Sequence, residues 1–245
     1  MAAPALVALA HGDRDPRSTS TITALVDEVR AQRPDLRVEK AFLGTTRWEF
    51  QKVVDRLVKA GFDEVVVVPL VLGDAPTPAI DEAVSEATGR HRELKVRVTS
   101  TLGLEARFLE VLDVRMREAL KASRVRELDA LVLAAAGSTD PLANQAVARL
   151  ARLWGTHHRL PVTAAYAASA PPATGEAVRA FRGEGRRHIA VASLFLTPGP
   201  LVDRATELAL EAGAVAVSEP LGAHPEVART VLARYAVGAV ELVPV

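Results

Sequence analysis

The sequence predicts an α/β protein of two similar subdomains, each a four-stranded, mainly parallel sheet flanked by helices, facing across a cleft. Two observations carry the α/β and two-fold parts of that reading. Short aliphatic runs alternate with stretches of helical periodicity along the whole chain. In addition, Leu6–Pro16, LVALAHGDRDP, returns 125 positions later as Leu131–Pro141, LVLAAAGSTDP, with six positions identical. Further along, VVVVPLVLG (Val65–Gly73) matches IAVASLFLT (Ile189–Thr197), and Leu102–Gly103 matches Leu221–Gly222. The offset shrinks along the chain from 125 to 119, as short loop deletions would produce. The repeat divides the chain into 1–122 and 129–245, with the charged segment Lys121–Asp129 as the joint.

The elements follow in order. Ala5–Leu9 reads as a strand, and Thr19–Gln32 carries Ile22, Leu25, Val26 and Val29 at amphipathic helical spacing. Arg37–Phe42 is strand-like, and Trp48–Ala60 is helical up to Gly61. Val65–Leu70 is a β-branched run of the kind buried on both faces of a parallel sheet. Pro78–Thr88 opens with a proline suited to a helix start, and Lys95–Thr99 and Leu104–Ala122 supply a fourth strand and helix. In the second half, strands are expected at Leu131–Ala135, Val162–Ala165, Ile189–Ser193 and Val215–Ser218. Helices are expected at Pro141–Gly155, Thr174–Gly183, Leu201–Ala212 and Pro225–Ala236.

Composition narrows the chemistry. The 30 acidic and 30 basic residues balance, so no basic field invites nucleic acid. Without cysteine there are no disulfides, thiolate metal sites, iron–sulfur clusters or cysteine nucleophiles. The N-terminal stretch lacks the basic leader of a signal peptide, and no apolar stretch is long enough for a membrane span, so a cytoplasmic protein is expected. GxGxxG, GxxxxGK[ST], HExxH and GxSxG are all absent, which removes most support for dinucleotide, ATP, zincin or serine-hydrolase chemistry.

Candidate residues cluster in the loops expected at the carboxyl ends of strands, where α/β folds place their ligands. His11 follows strand one and becomes Ala136 in the second copy, so only the first half offers an imidazole there. It reads as a metal ligand or proton acceptor, or else as a histidine bonded to nearby backbone. Arg14 reads as a carboxylate-binding group. Asp15–Pro16 persists as Asp140–Pro141 where the histidine does not, which marks that pair as a helix cap. Glu49 and Asp74 are candidate oxygen donors or proton carriers, with Arg47 and Thr77 as substrate contacts; a first-turn helix acid and a turn residue are the plainer readings of Glu49 and Asp74. His157–His158 is expected in a solvated turn after Gly155, and His91, between two arginines, at the surface. His188 begins a strand, and His224 precedes Pro225 as a cap or strand-end residue.

With LVALAHGDRDPRS, VVVVPLVLG, LAAAGSTDPLAN and PLGAHPEVARTVLARY in view, the chain resembles the two-domain sirohydrochlorin chelatases of the class II chelatase family. The resemblance covers essentially the whole chain. It implies insertion of Co²⁺ or Fe²⁺, with Ni²⁺ a further candidate, into sirohydrochlorin for cobalamin or sirohaem synthesis. The metal is then a substrate, no organic cofactor is needed, the partner is a tetrapyrrole, and the protein is a monomer or homodimer. The family pattern also implies a histidine in the loop after strand three, where this chain has Ala75–Pro78, and a glutamate after the Phe-Leu of strand two, where it has Gly44. Three readings stand: a chelatase working from His11 with Asp74, Glu49 or water; a non-catalytic tetrapyrrole or metal binder; and a fold reassigned to another small anion.

Overall fold

A computed structural model describes residues 3–11, 15–44, 49–73 and 78–242. The first sheet is built from β1 (Ala5–His11), β2 (Val38–Leu43), β3 (Glu64–Pro69) and β4 (Lys95–Val98), in the order β2-β1-β3-β4. The second is built from β5 (Ala130–Ala135), β6 (Val162–Tyr166), β7 (Ile189–Ser193) and β8 (Ala216–Val217), in the order β6-β5-β7-β8. Every pairing in both sheets is parallel. The helices between and after the strands are α1 (Pro16–Gln32), α2 (Phe50–Lys59), α3 (Pro78–Arg90), α4 (Phe108–Ala122), α5 (Pro141–His158), α6 (Thr174–Gly183), α7 (Pro200–Glu211) and α8 (Pro225–Leu242). The two-fold α/β reading of the sequence holds.

The central strands are apolar because both faces are covered. Residues 5–10 of β1 and 130–135 of β5 are all buried. Ala5, Val7 and Leu9 pack with Val65 and Val67 of β3 and with Phe50, Val53 and Leu57 of α2 and Ile80 of α3. The second unit repeats this layer with Ala130, Val132 and Ala134 against Val178 and Phe181 of α6 and Val202 of α7.

Packing groups the chain differently from the repeat. The two compact units are Met1–Gly103 with Ala223–Val245, and Leu104–Gly222. Helix α4 therefore lies on β7 and β8, and α8 on β3, β4 and α1. The sequence boundary at 122/129 divides the repeats but not the packed bodies. The cause is symmetry in the pattern: α4 and α8 are equivalent amphipathic helices, so periodicity does not reveal which sheet each covers. Each exchanged helix also grips a loop. The Arg234 guanidinium of α8 donates to the carbonyls of Thr101 (2.8 Å) and Leu102 (3.0 Å). Its counterpart on α4, Arg115, donates to the carbonyl of Leu221 at 3.1 Å.

Several ends move from where the sequence put them. α1 begins at Pro16 rather than Thr19, because Asp15 caps it by accepting the Arg17 N–H at 2.8 Å. Asp140 does the same for Leu142 N–H at 2.9 Å, so the repeated Asp-Pro pair is a cap in both copies. α5 does not stop at Gly155 but runs through His158. Gly155 serves close packing there: a Cβ would come within 2.9 Å of the Leu160 carbonyl and 3.1 Å of Val162.

Candidate functional site

In the first unit the connection from β1 runs to β2 on one side and that from β3 runs to β4 on the other, so the neighbouring carboxyl ends of β1 and β3 form a topological switch point, the usual ligand position in such sheets. His11 is the last residue of β1 and pairs in register with Leu43 of β2. Residues 5–10 of the strand are buried and His11 is exposed. By strand alternation it shares the face of Ala5, Val7 and Leu9, which α2 and α3 cover.

Glu49 lies at the same edge. It occupies the N-cap position of α2, makes no capping bond with its side chain, and forms an isolated parallel bridge with Phe42. One strand therefore separates its backbone from that of His11, about 10 Å at the usual strand spacing. Its carboxylate is paired with Lys52 at 3.0 Å. It also borders a groove of about 260 Å³ between α2 and α3, lined by Phe42, Leu43, Gly44 and the further acids Glu82 and Glu86. Such a rim suits a cation better than a carboxylate-rich ligand.

The loop after β3 is anchored at its described start. Leu70 N–H donates to the Leu9 carbonyl at 2.8 Å, and Thr101 Oγ1 donates to the Gly73 carbonyl at 2.7 Å. Thr101 is the residue whose carbonyl Arg234 holds, so α8 braces this edge through it. Of the site candidates, Arg14, Arg47, Asp74 and Thr77 lie outside the described residues. His11 and Glu49 come to one edge, and among the described residues His11 joins no group of three metal-donor side chains.

The second unit closes the equivalent edge. Ala136 stands where His11 does, and Ala173, bridged to Tyr166 and capping α6, stands where Glu49 does. The loop between them is tied internally: Ser138 N–H donates to Asn144 Oδ1 (3.0 Å), Asn144 Nδ2 donates to the Ser138 carbonyl (2.7 Å), and Tyr166 Oη donates to the Asn144 carbonyl (2.9 Å). Burial pushes the Tyr166 phenol pKa up, which keeps it a neutral donor. At these two positions, then, the first unit carries an imidazole and a carboxylate and the second carries alanine at both.

Comparison with known proteins agrees with that picture. The profile of the CbiX family matches residues 5–119 and again 130–237, once per repeat. The chain belongs to the CbiX family. The chelatase-type resemblance read from the sequence therefore holds at the level of the family. A sirohydrochlorin cobaltochelatase of Priestia megaterium is 26% identical over 204 residues, covering 81% of this chain and 66% of that protein. The chain thus matches a little under two thirds of that relative's length. SirB from Bacillus subtilis with Fe³⁺ superposes with a TM-score of 0.80 at 20% identity, covering 98% of this chain and 96% of SirB. SirB of Bacillus subtilis subspecies spizizenii in complex with cobalt gives 0.79 at 19% identity, over 98% and 97%. These structures share the fold.

The remaining histidines sort differently from their sequence reading. His91 is not a free surface residue: its Nε2 lies 2.7 Å from Asp55 Oδ1 and the ring is partly buried. His224 Nδ1 accepts the Glu226 N–H at 3.2 Å and caps α8. His157 and His158 sit in the last turn of α5 rather than in a turn beyond it, and His158 Nε2 lies 2.7 Å from Asp113 Oδ1. No described helix is long and apolar enough to cross a membrane.

Proposed function

We propose that this member of the CbiX family inserts a divalent metal, Co²⁺ or Fe²⁺, into sirohydrochlorin. The observation that carries the reading is His11: one exposed imidazole at the switch point of one sheet, with alanine at its equivalent in the other. The Priestia megaterium relative, a sirohydrochlorin cobaltochelatase, supports the substrate pair.

Insertion exchanges two pyrrole protons for one M²⁺. A neutral His11 imidazole holds the incoming ion through a ring nitrogen, or takes a pyrrole proton as the metal–nitrogen bonds form. Glu49 carries a proton away from the same edge or offers the ion an oxygen. Asp74 is a second oxygen donor from the loop after β3. Arg14 and Arg47 pair with substrate carboxylates, for which guanidinium is the matching partner, and Thr77 adds a hydroxyl contact. The tetrapyrrole nitrogens complete the metal's coordination as it leaves the protein, so few protein donors suffice. The protein acts as a monomer or homodimer in the cytoplasm.

The test is anaerobic absorbance spectroscopy of sirohydrochlorin with Co²⁺, Fe²⁺ or Ni²⁺, comparing the wild type, His11→Ala and no protein. Acceleration by the wild type that His11→Ala loses supports the chelatase. The departures at Gly44 and Ala75–Pro78 favour one second reading, a tetrapyrrole binder with His11 as axial ligand. A spectral shift saturating at one equivalent, with no rate above background, selects that reading.

A further inference from the structure

A second constellation lies away from the β1 edge, within the Leu104–Gly222 unit. Asp113 of α4 and His157 and His158 of α5 each offer a ligand atom, and the three atoms lie within 4.8 Å of one another. We propose that these three side chains form a binding site for a late first-row divalent cation such as Co²⁺, Ni²⁺ or Zn²⁺, distinct from the site at His11.

The donor chemistry fits that class. Two imidazoles and one carboxylate are intermediate ligands that suit Co²⁺, Ni²⁺ and Zn²⁺ better than Mg²⁺ or Ca²⁺, and three protein donors leave a coordination position for water. Tetrahedral donors at the usual bond lengths sit about 3.3 Å apart. The two histidines are exposed, so side-chain rotation can bring the donors to that spacing without moving either helix.

The surroundings are arranged as for a metal site rather than for a simple ion pair. Asp113 Oδ1 accepts from the indole N–H of buried Trp154 at 2.7 Å, which fixes the carboxylate, a role that outer partners of metal ligands commonly fill. The same oxygen faces His158 Nε2 at 2.7 Å; a cation entering there replaces the proton they share, which leaves to solvent. An Asp–His pair needs only one histidine. His157 is the excess: its ring stands edge-on to that of His158 with centroids 4.9 Å apart, and it makes no hydrogen bond among the described residues. Both histidines lie in the last turn of α5, where the helix dipole favours positive charge.

Trp154 supplies the readout, since its ring also meets His158 edge-on at a centroid distance of 5.6 Å. In the 245-residue chain carrying Trp48→Phe, Trp154 is the single tryptophan. Open-shell Co²⁺ bound beside it will quench its emission saturably at one equivalent, and Zn²⁺ will reverse the quenching by competition. Adding His157→Ala, at an exposed position, or Asp113→Asn, which keeps an acceptor for the indole, will raise the Co²⁺ midpoint by about tenfold or more. Adding His11→Ala will leave the midpoint unchanged. Equal quenching with and without His157→Ala, or quenching abolished by His11→Ala, would overturn the proposal.

Discussion

Glu49 and Ala173 occupy the same place in the two units: each stands at the N-cap position of the helix after the second strand, and each forms an isolated parallel bridge to the end of that strand. The second unit has thus replaced a carboxylate with a methyl group at this point, as it replaced the His11 imidazole at Ala136. The paired loss argues that Glu49 answers to the chemistry of the first unit and not to the architecture both units share. Glu49→Gln is expected to lower the metal-insertion rate about tenfold or more while leaving thermal stability within a degree or two. Its ion pair with exposed Lys52 contributes little. The reciprocal change, Ala173→Glu, is expected to add no activity, because no imidazole accompanies it. Steady-state rates and melting curves of both variants check this; a Glu49→Gln protein with full rate removes Glu49 from the site.

His11→Ala is expected to shift the melting temperature by less than about 2 °C, since an exposed strand-end side chain contributes little to the core. A fall of many degrees would make His11 a structural residue. Conversely, Thr77→His adds an imidazole in the loop where the family pattern has one, and is expected to tighten Co²⁺ binding at the His11 site. Calorimetric titration in a His157→Ala background isolates that event, and unchanged affinity would mean that position 77 does not reach the ion.

The Arg33 guanidinium, hydrogen-bonded to Asp35 at 2.9 and 2.8 Å, holds the Asp35 carboxyl down to about 2 from its ordinary 3.8. A carboxyl with a lowered folded-state pKa adds stability that is complete above its unfolded value and is lost as pH falls through the folded one. The melting-temperature gap between wild type and Asp35→Asn is therefore expected at pH 6 and should close between about pH 4 and pH 2. The pair is exposed, so the gap should be small and shrink with salt. Asp15, lowered by the hydrogen bonds from Arg17, titrates with the same sign. A gap that widens on acidification would contradict the assignment.

What the sequence made legible was local. The Asp-Pro caps, the buried strands and the imidazole at a strand end follow from spacing within a dozen residues, and all stand where that spacing put them. What it hid was of two kinds. Gly155 carries the signature of a helix stop, but its missing Cβ serves contact with Leu160 and Val162, and the helix continues to His158. That extension, with Asp113 from a distant helix, creates the histidine–aspartate group, which no spacing of histidines announces. The exchange of α4 and α8 was hidden because a repeat presents two equivalent helices to two equivalent sheets.

That exchange makes a prediction about fragments. The span 104–222 contains the whole of one packed unit, whereas 129–245, the second sequence repeat, lacks α4 and carries α8 without its sheet. Helix α4 buries Phe108, Val111 and Leu112 completely and Met116 to 5% exposure, and it packs on β7 and β8. Uncovering four such side chains costs about 6–12 kcal/mol, comparable to the whole stability of an ordinary domain. In 129–245 the buried faces of Val227, Val231 and Tyr235 on α8 would meet water as well. The fragment 104–222 is therefore expected to melt in one cooperative transition with a near-UV dichroism signal from Trp154. The fragment 129–245 should show no such transition and should bind hydrophobic dyes. Equal folding of both would mean that α8 can cover the sheet built from β5 to β8 as well as α4 does, and that the repeat, not the exchanged unit, is the folding body.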